Sequence, residues 1–190
     1  MSIVLHGVAA GKGIAIGHAH LITRGTTEVP QYDIDPDKLD AEATRFDNAI
    51  KATRKELEQL RGAIPENAPT ELGAFISLHL MLLTDVTLSR EPIDILREQK
   101  INAEWALKQQ SDKLAAQFDS IDDDYLRERK QDMLQVVRRI HNNLVGQSNE
   151  INLAGNLFDD TVLIAHDLSP ADTVLFKEQH ITAFVTDAGG

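Results

Sequence analysis

Apolar residues are spaced in three different ways along the chain, and each spacing predicts a different kind of structure. Over residues 3–24, small and branched residues alternate between glycines, which predicts short strands at 14–16 and 18–22 joined by tight turns. Over residues 35–145, apolar residues recur at every third or fourth position, the period of an amphipathic α-helix. Beyond residue 146 the pattern changes again, to a mixture of strand and helix.

The central part is predicted to consist of long antiparallel helices, which form a bundle when short links join them. Asp35 and Pro36 begin the first helix, because a capping acceptor followed by proline suits a helix start. Its apolar stripe, a packing seam that ends before Gly62 and Pro65, consists of Leu39, Ala43, Phe46, Ile50, Thr53, Leu57 and Leu60. Further helices are predicted over 70–83, 92–96, 102–118 and 122–144, the last of them ended by Gly146.

The two terminal parts are predicted to form one domain. Strands are expected over 162–165 and 181–185, and Ser169-Pro170-Ala171-Asp172 has the cap, proline and acid of a helix start. Because neither terminal part has enough strands to be stable alone, we expect the two to pair. The predicted fold is α+β or α/β, with a discontinuous, incomplete α/β domain over 1–30 and 147–190 and an inserted helical bundle over 31–146.

Composition and charge limit the possible functions. The 190 residues include no cysteine, which excludes a disulfide framework, a thiolate zinc site and a cysteine nucleophile. The net charge of −11 argues against nucleic acid as a partner and suits a basic protein surface. We recognise no signal peptide and no run of membrane-spanning length, so we expect a cytoplasmic protein without membrane insertion.

Two motifs near the start suggest ligand binding and are interpreted as structural. The run Gly7–Gly13 has three residues between its first two glycines, where a phosphate-binding P-loop needs four, and it lacks a hydroxyl residue after the lysine. His18 and His20 alternate along a strand and face one side, but no third ligand completes a metal site. We therefore expect a turn cluster, a solvated histidine pair and no metal site.

We interpret two features of the helical part as structural, the first of them with a functional alternative. His79 is interpreted as a partly buried histidine with a local partner. The alternative is a partner-binding surface, because Leu78, Leu82 and Leu88 exceed the needs of one core stripe. The acidic run Asp122–Asp124 is interpreted as a solvated helix start, where the helix dipole favours negative charge.

The strongest site prediction from the residues concerns two loops in the last part of the chain. The loop from Asp167 to Thr173 follows a strand and opens a helix, which presents free backbone N–H groups that suit a phosphate. The loop from Thr186 to Gly190 follows the next strand and ends in two glycines, which permit close approach to a ligand. If the two strands are neighbours, the loops converge at one edge of the sheet.

Five motifs, in this order and at this spacing, point to a known family. They are Gly7-Val8-Ala9-Ala10-Gly11-Lys12-Gly13-Ile14-Ala15-Ile16-Gly17, His79-Leu80-Met81-Leu82-Leu83, Asp123-Asp124-Tyr125-Leu126-Arg127-Glu128-Arg129, Asp167-Leu168-Ser169-Pro170 and Thr186-Asp187-Ala188-Gly189-Gly190. Together they resemble Enzyme I of the bacterial phosphotransferase system, the phosphoenolpyruvate–protein phosphotransferase. The resemblance covers essentially the whole chain, which makes it more specific than any single motif.

The resemblance implies a phosphohistidine-type α/β domain interrupted by a helical bundle that binds the phosphocarrier protein HPr. It also implies a carboxy-terminal barrel, outside this chain, that binds phosphoenolpyruvate and Mg²⁺ and forms a homodimer. The reactive histidine is expected four residues beyond Gly190, so we expect this chain alone to be inactive, and monomeric or weakly associated. The implied activity passes a phosphoryl group from phosphoenolpyruvate, through that histidine, to HPr in sugar uptake.

The resemblance also assigns site residues position by position. Thr173 matches a threonine that supports the reactive histidine, and the active-site loop matches Asp187, Ala188, Gly189 and Gly190. The HPr-binding positions are Glu71, Ala74, His79, Met81, Leu82, Asp85, Leu88, Tyr125 and Arg129. The chain departs from the family at Thr70, where a second acid is usual, and at Leu78, where glycine is frequent.

Two alternatives stay open at this point. A nitrogen-related or dihydroxyacetone-kinase-linked paralogue would keep the chemistry and use a different carrier. A non-catalytic helical interaction module would bind a partner without forming phosphohistidine. Flanking domains would identify a paralogue, and phosphohistidine formation with phosphoenolpyruvate and Mg²⁺ would exclude the non-catalytic module.

Overall fold

A computed structural model describes the chain at residues 4, 6–22, 29–66, 68–120, 123–147, 160–165, 168, 176 and 181–187, with no side chains described at 124–128. The chain forms two compact units. One unit contains Met1–Gly25 and Ile151–Gly190, and the other contains Thr26–Glu150. The assignment of an incomplete phosphohistidine-type domain to the first and an HPr-binding bundle to the second stays a prediction.

A three-stranded parallel sheet organises the unit that contains both ends of the chain. Its strands are β1, His18–Ile22, β2, Thr161–Ala165, and β3, Ile181–Thr186, in the spatial order β1-β2-β3. Strands β1 and β2 pair residue for residue, beginning with His18 opposite Thr161. This pairing confirms that the two terminal parts of the chain join in one sheet.

The middle strand is the most buried of the three. Thr161, Leu163 and Ala165 are buried and alternate with half-buried residues, the two-residue period of a strand. The buried ring of Phe176 packs against Phe184 of β3, with 5.9 Å between the ring centroids. These apolar contacts give the unit a small core around β2.

The prediction of a strand over 14–16 is wrong. Residues 14–17 form no strand, and the side chains of Ile14 and Ile16 are 95% and 85% exposed. Alternation of branched and small residues favours an extended backbone, but a strand also needs a neighbour to share its hydrogen bonds. In the part of the chain that the structure describes, no strand pairs with 14–17.

Gly17 marks a close approach between the two ends of the chain. The backbone N–H of His18 donates to the carbonyl oxygen of Asp160 at 2.7 Å. A Cβ atom at Gly17 would lie 2.1 Å from that oxygen, so any other side chain would force the backbones apart. The pairing of β1 with β2 therefore requires glycine at this position.

The second unit is helical. It contains a 3₁₀ turn at Pro36–Lys38 and then α1, Leu39–Gly62; α2, Thr70–Leu82; α3, Val86–Ser89; α4, Glu91–Gln99; α5, Ala103–Asp119; and α6, Asp124–Leu144. The four long helices and the short helix that includes Pro92 are confirmed. The fold class of the chain is helix-rich α+β with a small parallel sheet, which agrees with the predicted class.

Helix boundaries differ from the prediction in two places. Asp35 precedes a 3₁₀ turn, and its carboxylate accepts a hydrogen bond from Lys38 Nζ at 2.8 Å instead of capping the backbone. Helix α3 is not predicted, because four residues are too few to show a helical period. At the end of α6, Gly146 adopts a φ of +68° and ends the helix as predicted.

Apolar residues from every α-helix form the core of this unit. The predicted stripe of α1 is buried from Ala43 to Leu60, and Leu39 at its start is half-buried. The large, fully buried apolar side chains are Phe46, Leu57, Ile76, Leu83, Leu88, Leu96, Leu107, Val136 and Ile140. Tertiary packing of these faces, rather than helix propensity, gives the unit most of its stability.

No single helix in the described residues is long and apolar enough to cross a membrane. The consecutive helical stretches Thr70–Leu82 and Val86–Gln99 reach that length and composition only as a pair, bent by 61°.

A charged network joins α1, α5 and α6. The guanidinium of Arg45 donates to both carboxylate oxygens of Glu104 at 2.7 Å, and to Glu42 at 2.6 and 3.0 Å. It also donates to the carbonyl oxygen of Leu144, the last residue of α6, at 3.0 Å. Burial acts to raise the pKa of Glu104, but hydrogen bonds from Arg45 and Asn102 lower it below the usual value. The buried carboxylate therefore stays charged and depends on Arg45.

Asn102 extends this network to the segment that precedes α1. Its Oδ1 accepts from the N–H of Tyr32 at 3.1 Å, and its Nδ2 donates to the carbonyl oxygen of Pro30 at 3.0 Å. Asn102 occupies the predicted N-cap position of α5, but its side chain makes no capping bond. Instead, the N–H of Ala103 donates to the Glu42 carboxylate at 2.8 Å, so a residue of α1 caps α5.

We predict that Gly17→Ala disrupts the pairing of β1 with β2. The added methyl group overlaps the carbonyl oxygen of Asp160, so the two strands must move apart. We expect the free energy needed to open the pairing of β1 with β2 to fall by about 2 kcal/mol. Amide hydrogen exchange in β1 and β2 measures this loss. Gly11→Ala is the matched control, because a Cβ there meets no atom within 4 Å. Equal protection in the two variants would contradict the close approach.

We predict that Arg45→Met lowers the free energy of unfolding of the helical unit by about 3 kcal/mol, because it leaves the buried carboxylate of Glu104 without a cation. Urea denaturation followed by Trp105 fluorescence measures the loss. Arg97→Met is the control: it removes a pair with Asp40 in which the side chains are 52% and 92% exposed, worth less than about 1 kcal/mol. Adding Glu104→Gln to Arg45→Met should restore part of the stability, and no restoration would contradict the proposed cause.

Candidate docking surface and active-site edge

Helix α2 has apolar residues on both of its sides. With about 100° between successive residues, Ile76, Leu80 and Leu83 lie on one side, where they are buried. On the other side, residues at every third or fourth position are exposed or half-buried. We call this set the outward stripe: it consists of Glu71, Ala74, Leu78 and Met81 and continues to Asp85.

The outward stripe combines exposed apolar side chains with acidic ones. Met81 is 61% exposed, and the neighbouring Val86 of α3 is 62% exposed. Glu71 at the start of the stripe and Asp85 at its end are exposed as well, and Leu82 beside it is half-buried. Large exposed apolar side chains with charged residues around them are typical of a protein-binding surface.

Asp85 also stabilises the fold of α3. Its Oδ1 accepts hydrogen bonds from the backbone N–H of Thr87 at 2.9 Å and from the Thr87 hydroxyl at 2.8 Å. The carboxylate therefore caps the N-terminus of this short helix. Within the helix, Val86 faces solvent and Leu88 faces the core.

Two of the predicted HPr-binding residues are not on this surface. His79 is fully buried, and Leu88 is 1% exposed, so a docked protein cannot contact them in this structure. The resemblance matches positions in the sequence, whereas packing against the other helices decides which positions face inward. Of the other predicted positions on these helices, Glu71, Ala74, Met81 and Asp85 are exposed, and their role in docking stays a prediction.

His79 lies in an environment that the sequence did not indicate. Neither ring nitrogen has a hydrogen-bond partner among the described residues, contrary to the local partner that we expected. The ring lies 4.1 Å from the ring of Phe75, and the two planes are tilted by 52°. Burial lowers the pKa of His79, and the cation of Arg139 in α6 lowers it further, to about 4. The imidazole is therefore neutral at neutral pH.

The remaining predicted docking residues lie near the start of α6. Arg129 is half-buried, and its Nη1 lies 3.4 Å from Asp132 Oδ2. Tyr125 belongs to the helix, but its side chain lies outside the described ones. Lys130 donates to both carboxylate oxygens of Asp119 at 2.6 and 2.7 Å, which ties the start of α6 to the end of α5.

The carboxyl ends of β2 and β3 lie side by side in the other unit. Ala165 is opposite Thr186, and because the strands are parallel, the chain leaves both at the same edge of the sheet. This confirms the neighbouring strands on which the predicted convergence of the two loops depends. Asp187 is exposed at this edge. The predicted site residues Thr173, Ala188, Gly189 and Gly190 lie outside the described residues, so their placement stays a prediction.

The other motifs form no site among the residues that the structure describes. The described residues contain no group of three histidine or acidic side chains that is placed to hold a metal ion. In β1, His18 is exposed and His20 is half-buried. The run Gly7–Gly13 is exposed and leads into β1, whereas a P-loop opens a helix. Asp123 is exposed just before α6, and Asp122 lies outside the described residues.

Two features of the helical unit are absent from the predictions made from the sequence. The pair of Arg45 and Glu104 is separated by 59 residues, so no local pattern reveals it. The outward orientation of Val86 follows from α3, whose one local signal is the capping pattern of Asp85 and Thr87.

Comparison with known proteins gives the family. The sequence profile of the family described as "PEP-utilising enzyme, N-terminal" matches residues 6–129. The phosphoenolpyruvate-protein phosphotransferase of Cupriavidus necator is 42% identical over 197 aligned residues, covering 100% of this chain and 34% of that protein. The protein of the same name from Bacillus subtilis is 33% identical, covering 98% of this chain and 32% of its own length. The chain thus spans about a third of the length of these relatives.

Solved structures agree with this result. A solution NMR structure of the Enzyme I protein nEIt has a TM-score of 0.77 and 32% identity, and the match covers 97% of this chain and 73% of that one. The N-terminal domain of the nitrogen Enzyme 1 has a TM-score of 0.65 over 94% of this chain and 71% of its own, and at 24% identity it shows the fold alone. The resemblance to Enzyme I is therefore confirmed, and the chain belongs to the N-terminal family of PEP-utilising enzymes.

Proposed function

We propose that this chain is the N-terminal, HPr-binding part of a phosphoenolpyruvate–protein phosphotransferase. The observation that carries the proposal is the match of the whole chain to about a third of each of several proteins with that name. In the complete enzyme, a phosphoryl group passes from phosphoenolpyruvate to a histidine and then to HPr, in sugar uptake. A cytoplasmic location and a homodimer of the complete enzyme belong to the same proposal.

The chemistry of this proposal is nucleophilic phosphoryl transfer. A neutral imidazole nitrogen of the enzyme attacks the phosphorus atom, the N–P bond forms as the bridging P–O bond breaks, and the released enolate takes up a proton to give pyruvate. A histidine of HPr then attacks the same phosphorus atom and displaces the enzyme's imidazole. Positioning and charge neutralisation supply most of the rate in such reactions. Mg²⁺ belongs to the complete enzyme in this proposal, and we assign it no ligand among the described residues.

The proposed position of the reactive histidine is the carboxyl edge of the parallel sheet. Strands β2 and β3 end side by side there, and Asp187 is exposed directly after β3. We assign the loop that carries the histidine to Asp187–Gly190 and assign Thr173 to the support of its imidazole through a hydroxyl hydrogen bond. A helix start after β2 would supply backbone N–H groups to the phosphoryl oxygens.

The proposed HPr-docking surface is the outward stripe of α2 with the adjoining Val86. The exposed side chains of Met81 and Val86 suit an apolar patch on the partner, and the carboxylates of Glu71 and Asp85 suit a basic rim. The net charge of −11 would speed the encounter with a basic partner more than it would tighten the complex. Leu82, Tyr125 and Arg129 are assigned to the border of this surface. The helical unit, as an insertion in the sheet-containing unit, would present it to the carrier.

We predict that Ala74→Lys weakens HPr binding by roughly tenfold or more, because it adds bulk and a charge of the same sign as the basic partner within the outward stripe. Titration of isotope-labelled protein with HPr at pH 7.5, followed by amide chemical shifts, measures the dissociation constant. Ala41→Lys is the matched control, since Ala41 is an exposed alanine of α1 away from the stripe.

The same titration separates the proposal from its rivals. Shifts concentrated on the outward stripe, lost in Ala74→Lys and kept in Ala41→Lys, support docking at this surface. Absence of any shift change at millimolar HPr contradicts it. Binding to a nitrogen-type carrier but not to the sugar-type carrier would replace the proposed partner with the paralogous one.

We predict that Thr173→Ala slows phosphohistidine formation by roughly tenfold in the complete enzyme, because the reactive imidazole loses a positioning hydrogen bond. Rapid quench with labelled phosphoenolpyruvate and Mg²⁺ measures the rate. Thr182→Ala is the control, because Thr182 is an exposed threonine of β3. An unchanged rate in Thr173→Ala would remove the assigned role, and a complete absence of phosphohistidine in the unaltered enzyme would support a non-catalytic module.

A further inference from the structure

Few buried residues hold helix α2 in its unit. Of its 13 residues, the buried ones are Ile76, His79 and Leu80. A histidine is thus one of the three buried side chains of the helix. The same helix carries the outward stripe on its other side, so any change in the packing of α2 against its neighbours also moves the outward stripe.

The surroundings of His79 suit a neutral ring and not a charged one. Both ring nitrogens are buried without a partner in the described part of the chain, and the ring packs on Phe75. Helix α2 packs against α1 and α6. Among the charged groups of α1, α2 and α6, the one with a resolved effect on the imidazole is the cation of Arg139 in α6, which disfavours a charged ring. A proton on the ring would place a second buried cation near Arg139 and leave two N–H donors without acceptors.

We propose that the protonation state of His79 controls the packing of α2, and we call this control the latch. With a neutral imidazole the helix packs against α1 and α6, and with a protonated ring it separates from them. The latch concerns the fold of α2 and does not depend on what binds there. Its consequence, that acid removes the docking surface for HPr, rests on the proposed function.

The direction of the pH effect follows from proton linkage. The pKa of His79 is about 4 in the seated helix, against 6.5 for an ordinary histidine, so the released state binds more protons below pH 6.5. The free energy that holds α2 in place has its full value above about pH 7, falls as the pH decreases and levels off below about pH 4. From pH 7.5 to pH 5.0 the opening equilibrium of α2 should increase about 30-fold.

Amide hydrogen exchange of α2, corrected for the intrinsic pH dependence of exchange, measures this opening. We expect the increase of about 30-fold between pH 7.5 and pH 5.0 in the unaltered protein, and a change of less than about twofold in His79→Leu. His141→Leu is the matched control, because His141 Nε2 is also buried without a partner, and this variant should keep the full pH effect. His79→Gln, which is polar but does not titrate, serves if His79→Leu fails to fold.

Three outcomes would overturn the latch. The first is an equal pH effect in the unaltered protein and in the His79 variant. The second is a loss of the pH effect in His141→Leu. The third is a parallel loss of protection in α2 and α5, which indicates unfolding of the whole unit. HPr titration at pH 7.5 tests the docking proposal independently, so a failure of docking and a failure of the latch give different results.

Discussion

The ion pair between Arg45 and Glu104 is the constraint on which the helical unit depends. Glu104 is buried, and its charge is tolerable because Arg45 meets both carboxylate oxygens with parallel hydrogen bonds. The same guanidinium holds the last carbonyl group of α6 at Leu144, so one side chain fixes α1, α5 and α6 relative to each other. Helix α2 packs against α1 and α6. The position of the outward stripe therefore depends on a charge pair that belongs to other helices.

Most of the secondary structure was predictable because it follows from neighbours in the sequence. The buried stripe of α1, the end of α6 at Gly146 and the strands β2 and β3 all have local signals. The predicted strand over 14–16 failed because strand formation needs a partner, and the alternation of residues carries no information about one. The contact of Gly17 with Asp160 has the same origin: it joins distant parts of the chain, so only the folded structure reveals why glycine is required there.

The sequence predicted where the candidate site residues lie along the chain, but not which of their side chains face solvent. Parallel pairing of β2 with β3 makes the chain leave both strands at one edge of the sheet, which meets the condition on which the predicted convergence of the two loops depends. On α2 the period alone cannot separate core from surface, because apolar residues occupy both sides. Leu80 and Met81 are adjacent in the sequence, yet the first is buried and the second is exposed. His79 and Leu88 were assigned to the surface by position, and packing against neighbouring helices turns both inward.

The cap of α3 restricts which amino acids can replace Asp85 during evolution. Asp85 holds the helix through two hydrogen bonds to Thr87 and also presents a negative charge at the end of the outward stripe. Glutamate would keep the charge, but its longer side chain would move the carboxylate away from the N–H of Thr87. Asparagine would keep the cap and lose the charge. Under the proposed docking role, fold and recognition select the same amino acid for separate reasons, and conservation at this position would not measure either one alone.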